Sequence, residues 1–348
     1  MSRTSLSDSL SAGLNNSNNL APIALFVYNR PEHMQRTVNS LRKNELASQS
    51  DLFVFSDGPK DEAASTAVQQ VRSHIRTIHG FKSVTIIERE RNWGLGNSVI
   101  GGITALCTKF GRVIAMEDDL LTTADFLTFI NQALDRYENE PRIFSVSGFN
   151  FGFNGPEHYP YDAFCFYRSS SLGWGTWKDR WERADWKMAD YHRFCADKEQ
   201  QRQFNRGGDD LSNMLALHMH GKIDSWAIRW AYTHFKQDAL ALLSFRPRVF
   251  HIGFDDSATN QRRKSFTQLP LTGERKSEFH YPDSARLEER FVVKLQKSLR
   301  PSLARKLVRY IRHARIGLAT NLFDSSKPLS SNMDQSAAPE ASRGSLFE

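Results

Sequence analysis

Three consecutive carboxylates, Glu117, Asp118 and Asp119, follow a short apolar run at residues 112–116. A run of this length between polar residues is typical of a buried strand, and α/β proteins bind ligands at the carboxyl ends of their strands. Three adjacent anions repel one another unless a cation joins them, and oxygen ligands suit Mg²⁺ or Mn²⁺ shared with a substrate phosphate. The pattern predicts a metal site for phosphate chemistry; a solvated acidic turn before the next helix is the alternative.

Two other polar residues follow predicted strands in the same way. Arg30 comes after the first strand and Asp57 after the second, so one ligand at the sheet edge could contact both of them and the acids. Segments with helical apolar spacing separate these strands, which predicts an α/β fold with a mostly parallel sheet covered by helices on both faces. The predicted strands are residues 23–28, 52–55, 84–87, 112–116, 143–148, 164–167 and 240–243.

Composition limits the class of protein. A chain of 348 residues with 40% hydrophobic content can bury a sizeable core. No run approaches the roughly 18 to 20 apolar residues of a membrane span, and the N-terminus lacks a signal-peptide pattern, so we expect a soluble, cytoplasmic protein. Cys107, Cys165 and Cys195 are widely spaced and fit neither a disulfide framework nor a zinc site. The net charge of +7 points to an anionic partner.

Composition also changes along the chain, which predicts four segments. The first and last are polar and expected to be disordered, and the second half of the central domain is dense in aromatics, which suits recognition by loops. At residues 301–318, basic residues flank an apolar helical face, the pattern of a helix lying on an anionic membrane; packing on the domain itself is the alternative. The segments are a tail at 1–20, a domain at 21–255 with halves 21–148 and 149–255, a basic helical extension at 256–323 and a tail at 324–348.

From about residue 23 to residue 251, the chain resembles metal-dependent glycosyltransferases of the GT-A fold. The resemblance extends to bacterial family 2-like enzymes and to the eukaryotic N-acetylglucosaminyltransferase that starts complex N-glycan branching. Residues 28–30 are similar to the family motif whose arginine contacts the nucleotide diphosphate, which implies that role for Arg30. Residues 55–57 are similar to the motif whose aspartate binds uracil, which implies that role for Asp57.

The three acids, with the Asp-Phe pair that follows them, resemble the family's metal motif. The resemblance implies that Asp119 binds the metal, that Glu117 approaches the sugar, and that Asp118 contributes to donor binding. Residues 171–174 resemble a loop near donor and acceptor, and because sugars stack well on aromatic rings, Trp174 is the tryptophan assigned to the site.

The resemblance also implies a catalytic base, since the family's base precedes a polar residue and a tryptophan, as Asp224 does. The family has a second aspartate where this chain has Ser225, and Asp209 or Asp210 is the alternative base. From the residues alone, Asp224 is equally a helix N-cap. A base on the opposite face of the sugar would take the acceptor proton during in-line displacement, which inverts the anomeric configuration. His251 could close over the diphosphate or join the metal site, or be a structural histidine.

Taken together, the resemblance implies transfer of a sugar from a nucleoside diphosphate sugar, expected to be a UDP-sugar, with Mn²⁺ or Mg²⁺ bound. The expected acceptor is a saccharide or lipid-linked saccharide in bacterial surface polysaccharide or lipopolysaccharide synthesis, with peripheral membrane contact. A sugar-nucleotide nucleotidyltransferase should have a Gly-rich loop after the first strand, which residues 28–31 lack. A nucleic-acid-binding module should interleave basic and aromatic residues, whereas six Lys/Arg lie within residues 300–315, away from the aromatic half. We therefore expect no nucleic-acid partner.

Overall fold

The computed structural model of the protein describes residues 20–254, 268–273 and 275–300. The tail predicted at 1–20, apart from Leu20, the basic helix predicted at 301–318 and the tail predicted at 324–348 lie outside the described residues. The strands are β1 (Ile23–Val27), β2 (Asp51–Ser56), β3 (Ser83–Glu88), β4 (Arg112–Glu117), β5 (Leu120–Thr122), β6 (Ile143–Ser147), β7 (Ala163–Phe166), β8 (Trp174–Trp177), β9 (Leu240–Ser244) and β10 (Val249–His251). The helices are α1 (Pro31–Leu41), α2 (Glu62–Ile75), α3 (Leu95–Phe110), α4 (Phe126–Arg136), α5 (Lys178–Trp181), α6 (Tyr191–Ala196), α7 (Lys198–Phe204), α8 (Leu211–Met219), α9 (Trp226–Lys236) and α10 (Glu289–Leu299).

Eight strands form the central sheet in the order β3-β2-β1-β4-β8-β6-β9-β7. The first four strands in this order, β3, β2, β1 and β4, are parallel. Successive side chains of a strand point to opposite faces of the sheet. Leu25 and Val27 pack with Met34 of α1, whereas a Cβ at Gly102 of α3 would lie 2.7 Å from the Phe26 ring on the other face. Helices therefore cover both faces, and the predicted α/β class with a mostly parallel sheet is confirmed.

Sequence patterns missed the short strands β5, β8 and β10. β8 inserts antiparallel between β4 and β6 at the centre of the sheet, where all four of its residues are buried. A Cβ at Gly175 would lie 3.1 Å from both the Ile130 side chain and the Val113 carbonyl oxygen, so the strand has no room there for a larger residue. β5 and β10 pair with each other in a separate two-stranded sheet.

The segment after residue 268 packs on the same domain. The Tyr281 hydroxyl donates to the Phe129 carbonyl at 2.7 Å, and Phe291 of α10 lies 4.7 Å from Phe153, measured between ring centroids. The chain up to Leu299 forms one compact unit, so the domain boundary predicted after residue 255 needs correction to the end of α10. No helix among the described residues has the length and apolar character needed to cross a membrane.

Candidate active site

The parallel strands bring the predicted polar residues to one edge of the sheet. Phe26 of β1 pairs with Glu117 of β4, and Val27 pairs with Ser56 of β2, so these three strands end at the same level. Adjacent strands lie about 4.8 Å apart, which places Asp57 and Asp118 roughly 10 Å from each other across β1. A ligand of nucleotide size can reach both.

Arg30 joins two of the three acids directly. Its Nη2 atom lies 2.5 Å from Asp118 Oδ1 and 2.7 Å from Asp119 Oδ2. The Thr37 hydroxyl of α1 donates to the Asp118 carbonyl at 2.8 Å and accepts from the Leu120 amide at 3.0 Å, which fixes the acidic turn against the helix. The structure thus brings Arg30 to the acids, as the sequence predicted, and Arg30 is the cation that these carboxylates share.

The three carboxylates differ in their affinity for a proton. Burial raises the pKa of Glu117 to about 8, and the charges of Asp119 and Asp118 add to this effect. Burial also raises the pKa of Asp118, to about 6, although Arg30 opposes it. For Asp119, the hydrogen bond with His251 and the charges of His251 and Arg30 outweigh burial and hold the pKa at about 2. Asp119 is therefore the carboxylate best prepared to bind a cation.

His251 reaches Asp119 from β10, whose pairing places it opposite Leu120. His251 Nε2 lies 3.1 Å from Asp119 Oδ2. The Gln268 side chain binds the His251 backbone at two points, accepting from its amide at 2.7 Å and donating to its carbonyl at 3.0 Å. Gln268 therefore sets the position of His251, and sequence reasoning found no signal for this role.

Whether the cluster fits a divalent metal depends on its spare ligand atoms. Asp119 Oδ1 and His251 Nδ1 are buried and have no hydrogen-bond partner among the described residues. Those residues hold no group of three or more acidic, histidine or cysteine side chains suited to a metal. Mg²⁺ and Mn²⁺ commonly take one or two carboxylates and complete their shell with substrate phosphates and water. Asp119 therefore suits a metal ion whose other ligands are substrate phosphates and water.

Gly253 closes the cluster on the side of β10. A Cβ at this position would lie 2.1 Å from Asp119 Oδ2 and 2.9 Å from Arg30 Nη1. Only a glycine lets the chain pass so close to both charged groups. Gly253 stands two residues after His251 in the sequence. The sequence alone does not show that it approaches Asp119 and Arg30.

Asp57 is buried and binds the loop that follows β3. Its Oδ1 accepts from the Gly58 amide at 3.0 Å and the Trp93 amide at 2.9 Å, while its Oδ2 accepts from the Gly94 amide at 3.0 Å. Through these bonds, Asp57 fixes the conformation of the turn before α3. Its expected contact with uracil stays a prediction, to be made through the remaining lone pairs of the carboxylate.

Asp224 borders the same turn. A Cβ at Gly96 would lie 3.0 Å from Asp224 Oδ1, and one at Gly94 would lie 3.9 Å from Asp224 Oδ2. The N-cap of α9 is Ser225, whose hydroxyl accepts from the Ile228 amide at 3.3 Å, so the structure does not give the capping role to Asp224. Asp224 is exposed, and its carboxylate oxygens lie beside Gly94 and Gly96.

The alternative bases have other surroundings. Asp210 forms a two-point ion pair with Arg168, with nitrogen to oxygen distances of 2.7 Å and 3.0 Å. The Asp210 carboxylate is therefore already engaged by a cation. Asp209, beside it, is exposed. Asp224 is the candidate that borders the turn organised by Asp57.

The expected sugar contact of Trp174 needs correction. Its side chain is 1% exposed, and it stacks on Trp226 with ring centroids 5.4 Å apart. Trp174 also pairs with Ala115 within the sheet. A ring buried in this way has no face to offer a sugar, so Trp174 belongs to the core.

A mostly parallel sheet whose strand ends carry Arg30 and the acids defines an α/β protein of the GT-A class. The chain belongs to the GNT-I family, whose sequence model matches residues 4–221. The resemblance inferred from the sequence is thereby confirmed. Asp224 and His251 lie beyond the matched residues.

Individual relatives are distant. An Arabidopsis thaliana protein named alpha-1,3-mannosyl-glycoprotein 2-beta-N-acetylglucosaminyltransferase is 25% identical over 190 residues, which cover 48% of this chain and 41% of that protein. The chain thus spans about two-fifths of the length of this curated relative. The mannosyltransferase PcManGT from Pyrobaculum calidifontis, solved with GDP-Man and Mn²⁺, has a TM-score of 0.32 at 11% identity and covers 47% of this chain and 46% of its own. Residues 1–349 of S. aureus TarS give a TM-score of 0.37 at 10% identity, with 68% and 61% covered.

Proposed function

We propose that this protein is a metal-dependent glycosyltransferase that moves a sugar from a nucleoside diphosphate sugar to a hydroxyl acceptor. The observation that carries the proposal is the cluster in which Arg30, Asp118, Asp119 and His251 meet at the carboxyl edge of the sheet, in a chain of the GNT-I family. The name of the Arabidopsis relative, an N-acetylglucosaminyltransferase, supports transfer of a sugar.

Each residue of the cluster has a role in this reaction. Asp119, through its free Oδ1 atom, would hold Mn²⁺ or Mg²⁺, which neutralises charge on the diphosphate. Arg30 supplies a second positive charge at the same place and stabilises the leaving group as its negative charge develops. Asp118 holds Arg30, and Glu117 faces the sugar as an acceptor for its hydroxyl groups. The positive charge of Arg30, which would stabilise the leaving group, is thus in place before the donor binds.

Asp224 takes the proton of the acceptor hydroxyl. Asp224 and Asp57 both border the Gly94 turn, so donor and acceptor would meet at one loop. Attack from the face opposite the diphosphate inverts the anomeric configuration. The proposal includes UDP as the nucleotide, with Asp57 at its uracil, and a saccharide or lipid-linked saccharide of bacterial surface polysaccharide or lipopolysaccharide synthesis as the acceptor, at the inner face of the membrane.

A screen of donors tests the activity itself. The protein is incubated with UDP-, GDP- and TDP-sugars and Mn²⁺, and mass spectrometry measures the nucleoside diphosphate that each donor releases. We expect release from one class of donor, most strongly from UDP-sugars, and none when EDTA replaces the metal. Equal release from all donors with and without metal would show contaminating hydrolysis and contradict the proposal.

Calorimetry of UDP tests the metal site without an acceptor. Asp119→Ala should lower the affinity for UDP in Mn²⁺ by roughly 10- to 100-fold, the range found when metal sites are disturbed, because it removes the ligand atom. Asp283→Ala, which changes an exposed aspartate remote from the cluster, is the matched control and should bind as the wild type does. Equal UDP affinity in EDTA and in Mn²⁺ would remove the metal from the mechanism.

A further inference from the structure

The seven tryptophans of this chain all lie in its described part, and they fall into two groups. Five are at most 3% exposed and belong to the core. Trp93 and Trp186 are the two that are partly exposed. The buried group consists of Trp174, Trp177, Trp181, Trp226 and Trp230.

Trp186 is held firmly although part of it is exposed. Its ring centroid lies 4.5 Å from that of Trp181 and 6.3 Å from that of Trp230, with the latter pair nearly parallel at 24°. Both neighbours are buried. The indole of Trp186 is therefore a rigid apolar surface. Binding of a ligand on it costs little conformational entropy of the side chain.

Arg229 connects this surface to Asp224. Its Nη1 atom donates to the Trp186 carbonyl at 2.9 Å, and its guanidinium carbon lies 5.7 Å from the Trp186 ring centroid. At its other end, Nη2 lies 3.4 Å from the point that a Cβ of Gly96 would occupy, and Asp224 Oδ1 lies 3.0 Å from that same point. One guanidinium thus spans from the ring to the proposed base.

We propose that Trp186, with Arg229, forms a subsite for a pyranose ring of the acceptor beside Asp224. The apolar C–H face of a sugar packs on the indole, as on other aromatic rings, while its hydroxyl groups bind the guanidinium and the carboxylate. The inference rests on the proposed function, since it takes Asp224 as the base. Trp186 thereby takes the sugar-contact role that was expected of Trp174 from the sequence.

Trp93 is the natural comparison. Its ring carries the Arg89 guanidinium at 3.8 Å, and its amide donates to Asp57. A Cβ at Gly101 of α3 would lie 3.4 Å from the Trp93 ring. Trp93 is therefore packed beside Asp57, the proposed uracil contact, whereas Trp186 is connected through Arg229 to the surroundings of Asp224.

NMR of the indole N–H groups tests the subsite without knowledge of the natural acceptor. The protein, labelled with ¹⁵N and saturated with UDP and Mg²⁺, is titrated with the methyl glycosides of mannose, glucose, galactose and N-acetylglucosamine. We expect at least one glycoside to shift the Trp186 resonance, which is assigned by its loss in Trp186→Phe, while the Trp93 resonance serves as the internal control. Trp186→Ala should weaken binding of that glycoside about tenfold, the effect of one lost aromatic contact.

Two outcomes would overturn the inference. One is that no glycoside shifts the Trp186 resonance more than that of Trp93, and the wild-type titration decides this even if Trp186→Ala fails to fold. The other is a glycoside that binds Trp186→Ala as tightly as the wild type. UDP binding is measured in the same samples, so loss of the donor site would be seen separately as an absence of UDP-induced shifts.

Discussion

At the scale of single residues, Arg30 and the metal have overlapping tasks. Arg30 contacts both Asp118 and Asp119, which compensates charges that would otherwise repel one another in a buried setting. In the proposed function, Asp119 would also hold a divalent ion, which would add to that compensation. In the proposed reaction, the guanidinium that stabilises the acidic cluster would also stabilise the leaving group.

Asp224→Asn separates the proposed base from a structural role. Asparagine keeps the shape of the side chain but accepts no proton, so transfer should fall by at least about a hundredfold, the usual contribution of a general base. UDP affinity should stay near normal because the base acts on the acceptor. The rate of sugar transfer and calorimetry of UDP are the two measurements.

Asp210→Asn is the matched control for this experiment, because Asp210 is the alternative base and is paired with Arg168. It should keep wild-type transfer apart from any loss of stability. Reduced transfer in Asp210→Asn together with normal transfer in Asp224→Asn would move the base to the Asp210 region. A product that keeps the donor's anomeric configuration, read by NMR, would refute single displacement for either residue.

At the scale of elements, the short strand β10 is as important to the site as the long parallel strands. It carries His251 to Asp119 and is followed by Gly253, which packs on the same carboxylate. Gly253→Ala should push the chain away from Asp119 and lower the affinity for UDP in Mn²⁺ about tenfold, which corresponds to 1.4 kcal/mol. Calorimetry measures the loss, and circular dichroism checks the fold.

Gly273→Ala is the control for this change, because a Cβ at Gly273 would meet no atom of the described residues within 4 Å. It should leave UDP binding unchanged. If Gly253→Ala bound UDP and Mn²⁺ as tightly as Gly273→Ala, the close approach of β10 to Asp119 would have no part in donor binding.

The elements also show how far the sequence could be interpreted. The apolar runs of β1 to β4 are flanked by polar residues, so both the strands and the positions of Arg30, Asp57 and Asp119 at their ends were predictable. β5 and β10 have three residues each, too few to show a period, and β8 contains a glycine between aromatics. Trp174 and Trp186 look alike in a sequence; only the packing around them shows which one is buried.

At the scale of the whole molecule, a buried histidine links helix α9 to strand β6 of the central sheet. His234 of α9 has Nδ1 at 2.9 Å from the Trp230 carbonyl oxygen and Nε2 at 2.9 Å from the Ser145 hydroxyl of β6. Burial lowers its pKa to about 4 from the ordinary value of 6.5. The folded protein therefore excludes a proton that the unfolded chain accepts.

The consequence is a loss of stability in acid. Between pH 6.5 and pH 4 the unfolded chain binds more protons at this residue, so its contribution is fully present above pH 6.5 and is lost as the pH falls toward 4. From pH 7 to pH 4.5 the loss should be about 2 kcal/mol. Urea unfolding of the wild type and of His234→Gln, which binds no proton, measures the difference.

The exposed His280 provides the control. His280→Gln should keep the wild-type dependence of the free energy of unfolding on pH, whereas His234→Gln should show a weaker one. Identical slopes for all three proteins would mean that His234 accepts a proton as readily in the folded state as in the unfolded chain.

The central position of β8 has a consequence for the growing chain on the ribosome. β4, which carries the acidic cluster, is synthesised well before β8, and β8 is its neighbour on one side. Until residue 177 has emerged, that side of β4 is an open edge, and open edges recruit strands from other chains. β6 is in the same position, since both of its partners, β8 and β9, follow it in the chain. The nascent protein therefore passes through a stage in which the strand that leads to the acidic cluster is also an open edge exposed to other chains.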